Sequence, residues 1–151
     1  MLAASLGSDV TLTRLKGLWL GHNALGDNGL AVLAPSLRTL PRLRTLSLNG
    51  NGISDEGVAA LLNAGTGPLE ALEALDLSSN PLTNAALVEL ADALRRGGLP
   101  ALLVLMLFHT FTSDAEREAV QDLLRRAISQ PWVGKRSRPA RGLMAAGGQT
   151  T

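Results

Sequence analysis

Leu43–Asn51 reads LRTLSLNGN, and its spacing, L-x-x-L-x-L-x-x-N, recurs along the chain. Leu15–Asn23 (LKGLWLGHN) and Leu72–Asn80 (LEALDLSSN) carry the pattern in full. Leu102–Thr110 (LLVLMLFHT) carries it with threonine in the final place. The four starts are separated by 28, 29 and 30 residues, and the nine positions align without a gap. Self-similarity at such a period marks a stack of like supersecondary units. Within L-x-L-x-L, alternate side chains point to opposite faces of a strand. Leu46 and Leu48 therefore face one side, and Thr45, Ser47 and Asn49 the other.

The period then changes. Leu30, Leu33 and Leu37 share one helical face, as do Leu87, Leu90 and Leu94. Each unit thus reads as strand, turn and returning helix. Parallel strands need such a crossover, and its right-handed form is strongly preferred. Gly26-Asp27, Ser54-Asp55, Thr83-Asn84 and Ser113-Asp114 place capping oxygens ahead of each helix. Ser113 and Glu116 have the spacing of a capping box. Gly29, Gly57 and Ala86 occupy equivalent sites where helices can approach closely. Pro35 predicts a bend or break in the first helix, and Gly97-Gly98 a stop to the third. Strands about 4.8 Å apart backed by helices about 8–10 Å apart predict a curved stack with its helices outside.

The pattern resembles the leucine-rich repeat family, and its long period resembles the ribonuclease-inhibitor-type class. The resemblance covers about residues 15–128 and implies an α/β fold, a right-handed solenoid in a short horseshoe with a parallel concave sheet and helices on the convex side. Units are expected at 15–42, 43–71, 72–101 and, as a terminal repeat, 102–129. Asn23, Asn51, Asn80 and their counterpart Thr110 are read as structural. Backbone leaving each strand needs hydrogen-bond partners, and an amide supplies both donor and acceptor. In proteins similar to this one the residue forms a buried ladder.

Residues 1–14 resemble the tail of a preceding repeat, since Leu2 and Leu6 match Leu33 and Leu37. That predicts either a piece of a longer array or edge-to-edge association through an uncapped N-terminal repeat. At the other end, Val120 and Leu124 hold inward helical places among charged neighbours, as suits a terminal helix. Residues 130–151 hold Lys135, Arg136, Arg138 and Arg141 without an acid, so the rest of the chain stands near −3. This segment reads as a basic, disordered tail. Four charges do not identify a nucleic acid or a lipid surface.

Composition narrows the function classes. The 151 residues include no cysteine, which removes disulfides, thiolate metal sites and cysteine nucleophiles. Aromatic residues make up 3%, too few for a base-stacking platform. The longest apolar run, Ala101–Phe108, falls well short of the roughly 20 residues a membrane helix needs. No basic residue precedes the first apolar stretch, so a secretory leader is not expected and a cytoplasmic location is. His22 and His109 sit at equivalent places on the first and last strands, about three strand spacings of 4.8 Å apart, too far to share a metal. Asp76, the one acid among the outward strand positions, has no carboxylate partner there for acid–base chemistry. No catalytic residue, cofactor or metal is expected.

What is left is a surface. Three columns cross the concave face: Gly17, Thr45, Ala74 and Val104; Trp19, Ser47, Asp76 and Met106; Gly21, Asn49, Ser78 and Phe108. Trp19 stands at one end, a small polar middle follows, and Val104, Met106 and Phe108 close the other end. Large aromatic residues and methionine are frequent interface anchors. The apolar trio is read either as a partner site or as covered by Pro131-Trp132. The function expected is non-enzymatic binding of a protein partner on the concave face or rim. Two alternatives stand beside it. One is a small-GTPase regulator resembling the Ran GTPase-activating proteins; the other is a fragment of a larger array such as an NLR-like receptor.

Overall fold

The computed structural model describes residues 10–64, 69–110, 118, 122 and 144–145. A 3-10 turn, Val10–Arg14, leads into β1 (Gly17–Trp19), α1 (Gly26–Leu37), β2 (Thr45–Ser47) and α2 (Asp55–Asn63). β3 (Ala74–Asp76), α3 (Asn84–Arg95), β4 (Val104–Met106) and β5 (Met144–Ala145) follow. The strands form one sheet in chain order, each parallel to its neighbour. Leu18, Leu46, Leu75 and Leu105 stand in one row of the register, so equivalent repeat positions are neighbours in space. The fold is an α/β repeat solenoid.

Burial follows the motif. Leu43, Leu46, Leu48 and Ile53 of one repeat are fully enclosed with Leu72, Leu75, Leu77 and Leu82 of the next. The helices supply the other wall. Leu30, Leu33 and Leu37 of α1, Val58 and Leu61 of α2, and Leu87 and Leu90 of α3 complete a continuous core. α1 packs on α2 and α2 on α3. Burying a leucine side chain contributes roughly 1.5–3 kcal/mol, and no repeat could enclose its leucines alone.

The helix ends show where local rules hold and where the stack overrides them. Ser54 Oγ accepts from the Glu56 amide, and Thr83 Oγ1 from the Ala85 amide, capping α2 and α3. α3 ends in a Schellman motif: Gly97 is left-handed (φ 74°), the Gly98 amide donates to Ala93 and the Gly97 amide to Leu94. α1 departs from expectation twice. Leu25 precedes it without a side-chain cap, so Gly26-Asp27 does not cap its own helix. Nor does Pro35 break it, for α1 runs on to Leu37. Proline removes only the bond to the Ala31 carbonyl, on an exposed stretch two residues from the helix end, while Leu33, Ala34 and Leu37 hold the turn in the core. Arg38 then reaches across to the carbonyls of Leu61 (3.0 Å) and Leu62 (2.6 Å) at the end of α2. Its cation meets the negative end of that helix, although burial lowers its pKa from the ordinary arginine value.

Met144–Ala145 differ from the unstructured segment expected over 130–151. They pair with Val104 and Leu105 as a fifth parallel strand. The outer edge of β4 offers unpaired backbone groups, and any extended backbone can satisfy them whatever its side chains. Trp132, the expected helix cap at Ser113–Glu116 and residues 1–9 lie outside the described residues. No helix among the described residues is long and apolar enough to cross a membrane.

Candidate functional site on the concave sheet

The three outward columns stand side by side as the register requires: Gly17, Thr45, Ala74 and Val104 pair in series, as do Trp19, Ser47, Asp76 and Met106. Their exposures are unequal. Trp19 is 71% exposed, more than any other large apolar side chain among the described residues. Its indole folds back over Gly17, where any Cβ would overlap the ring. A bare backbone at position 17 therefore leaves the indole its place at the start of β1.

Gly21 does the same for Asn49, whose amide occupies the space a Cβ would take. Asn49 Oδ1 accepts from Ser47 Oγ at 2.7 Å, and its Nδ2 lies 3.0 Å from Nε2 of His22. Asp76 Oδ1 accepts from the Ser78 amide at 2.9 Å, and Ser78 Oγ accepts from the Phe108 amide at 3.1 Å. Two residues expected as contact surface are thereby withdrawn: Ser47 and Ser78 are each 8% exposed. Their side chains are too short to emerge between larger neighbours under 5 Å away across the sheet. Thr45, Asn49 and Asp76 are half-buried. Val104, Met106 and Phe108 are half buried along β4 and the turn after it.

At the C-terminal ends of the strands the amide column is continuous. Asn51 Oδ1 accepts from the amides of Asn23 (3.0 Å) and Leu25 (3.2 Å), and its Nδ2 donates to Leu20, Leu48 and Asn49. Asn80 repeats the arrangement one unit on. It accepts from Asn51 and Ile53, and donates to Leu48, Leu77 and Ser78. Asn51 and Asn80 are each 2% exposed. Asn23 lies at the surface with one donation, to Gly21, and Thr110 Oγ1 donates to Leu107. The preceding position is left-handed in every repeat: His22, Gly50, Ser79 and His109 have φ of 58°, 63°, 56° and 54°. Only Gly50 announces that corner in the sequence.

A second ladder, of carboxylates, joins the helix starts. Asp27 accepts from the Ser54 amide and hydroxyl, both at 2.7 Å. Asp55 accepts from the Thr83 amide at 2.8 Å and from its hydroxyl. A Cβ on Gly57 would collide with Asp27 Oδ1 and crowd the Asp27 Cα, so the small residue there makes room both for the carboxylate and for the start of α1. The signal was available, since an acid in one repeat pairs with a hydroxyl residue about one period later.

Among the described residues no three His, Asp or Glu side chains gather as a metal ion would require. The family model described as Leucine Rich repeat matches residues 11–34, 39–62 and 71–91. Among solved structures, the tropomodulin C-terminal domain of Caenorhabditis elegans is similar over 83% of this chain and 90% of its own, with 18% identity and a TM-score of 0.47. No curated protein matches. With matched repeats, a strand register set by the motif leucines and a buried amide column joining successive turns, residues 11–91 are leucine-rich repeats.

Proposed function

We propose that the chain is a non-enzymatic interaction module that takes a polypeptide partner on the concave face and rim of its sheet. Trp19 carries the reading. Its indole is 71% exposed, lies on a rigid strand and is seated on Gly17 rather than folded into the core. An aromatic group held in place loses little further freedom on binding, which makes it an effective anchor. Thr45, Asn49 and Asp76 supply half-buried polar contacts beside it, and Val104, Met106 and Phe108 extend the surface toward β4. Ser47 and Ser78 support that surface from beneath.

Photo-crosslinking tests this reading. A photoreactive residue at position 45 or 49 should capture a discrete polypeptide from a lysate, and Trp19→Ala should abolish the capture. The same probe at position 32, exposed on α1, should not capture it. Equal capture from both sides of the solenoid, or indifference to Trp19→Ala, would reject the concave face.

A further inference from the structure

The turn before each strand repeats as faithfully as the strand. The Leu15 amide donates to Leu12 and the Leu43 amide to Leu40, so residues 14 and 42 leave equivalent turns. One step on, the amides of Arg44 and Thr45 both donate to the Lys16 carbonyl, which sets residues 16 and 44 side by side. Both places are basic in both repeats: Arg14 and Lys16, then Arg42 and Arg44, all four exposed. The sequence signal is the repeated triplet Arg-Leu-Lys and Arg-Leu-Arg around each motif leucine. Among the described residues, Arg14, Lys16 and Arg42 form no salt bridge, and Arg44 meets Glu73 of the next repeat at 3.4 Å. Strand spacing of about 4.8 Å packs these cations into a corner roughly 10 Å across. The Trp19 indole, folded back over Gly17, leans toward the same corner.

We infer that the rim formed by the starts of β1 and β2 receives an acidic polypeptide segment, its carboxylates on Arg14, Lys16, Arg42 and Arg44 and an adjoining apolar side chain on Trp19. This rests on the concave-face reading and names the chemistry of the partner. Guanidinium groups favour carboxylates through paired donors, and complementary charge speeds encounter and rejects wrong partners. A nucleic-acid strand fits less well. The same rim continues into Glu70 and Glu73, and Asp76 lies on the face above. An evenly charged phosphate backbone would run onto those acids, whereas a peptide places its carboxylates where the cations are.

The test uses a dye-labelled peptide with glutamates flanking a leucine, its glutamine counterpart, and an oligouridylate of matched charge, read by fluorescence anisotropy on the full chain. The glutamate peptide should bind at least tenfold more tightly than either comparison probe and weaken steeply as salt rises. Arg14→Glu with Arg42→Glu should reduce its affinity at least tenfold, and Trp19→Ala severalfold. Arg96→Glu, a reversal at the end of α3, should leave it unchanged. Arg14→Gln with Arg42→Gln, a milder pair, guards against misfolding of the reversed variant and should lose affinity in the same direction. Equal binding of the glutamine peptide, tighter binding of the oligouridylate, or an equal loss with Arg96→Glu would overturn the inference. Capture from position 49 that persists in the charge-reversed variant would overturn it too, while leaving the concave-face reading in place. If the glutamate peptide binds with this specificity but position 49 captures nothing, the concave-face reading falls and the acidic-segment site stands at the rim alone.

Discussion

Replacing Asn80 with alanine removes one side chain and strands three backbone groups. The amides of Asn51 and Ile53 lose their acceptor, and the Leu77 carbonyl loses its donor. The other two acceptors keep partners, since Leu48 still receives Asn51 Nδ2 and Ser78 still receives the Gly50 amide. All three stranded groups belong to buried residues. An unsatisfied buried group costs about 1–3 kcal/mol, and partial relaxation brings the expected loss to roughly 3–5 kcal/mol. Asn51→Ala strands the amides of Asn23 and Leu25 and the Leu20 carbonyl. Water reaches that exposed or half-buried stretch, so about 1–2 kcal/mol is expected. Asn23→Ala removes one surface bond to Gly21 and should stay within about 0.5 kcal/mol. Urea unfolding with unchanged m-values provides the comparison. Equal losses across the column, or a larger loss at Asn51 than at Asn80, would refute the reasoning.

Three further outcomes follow from other parts of the structure. Ala24 is exposed and left-handed (φ 51°), where the next repeat has Gly52 at φ 67°; Ala24→Gly should raise stability by about 0.5 kcal/mol, the relieved strain exceeding the added unfolded-state entropy, as a higher urea midpoint would show. Asp27→Ala and Ser54→Ala should each cost about 1–2 kcal/mol and couple by at least about 0.5 kcal/mol in a double-mutant cycle, because the two side chains share one hydrogen bond. Gly17→Ala should unseat the indole and shift Trp19 emission in a Trp132→Phe background, while stability changes by less than about 1 kcal/mol because that ring is mostly exposed.

The parts of the fold legible in the sequence are those written in side chains whose role does not depend on a neighbour's position. Leucines at alternate places, repeated at nearly constant period, dictate both the buried face and the strand register; Ser54 and Thr83 cap whichever helix follows them. Asp27 was ambiguous by nature, because a carboxylate at the start of a helix serves its own amides and those of an adjacent loop equally well, and only the stack decides. The left-handed corner at His22, Ser79 and His109 was invisible because strain imposed by packing leaves no mark in residue type. On the concave face, Trp19 was legible from its column, but its seat on Gly17 and the burial of Ser47 and Ser78 depend on which neighbours are large. The basic rim leaves no mark in the strand columns, because Arg14, Lys16, Arg42 and Arg44 lie before the outward strand positions.

The two ladders point in opposite directions along the chain. The amide of one repeat serves the turn before it, and the carboxylate of one repeat holds the hydroxyl residue after it. The repeat at 43–71 is therefore clasped from both sides, like a link in a roller chain. Under a pulling force such a molecule should give way link by link, not strand by strand. Each rupture would release the 28 to 30 residues between successive motif starts, a contour gain of roughly 90–110 Å at about 3.3–3.6 Å per residue.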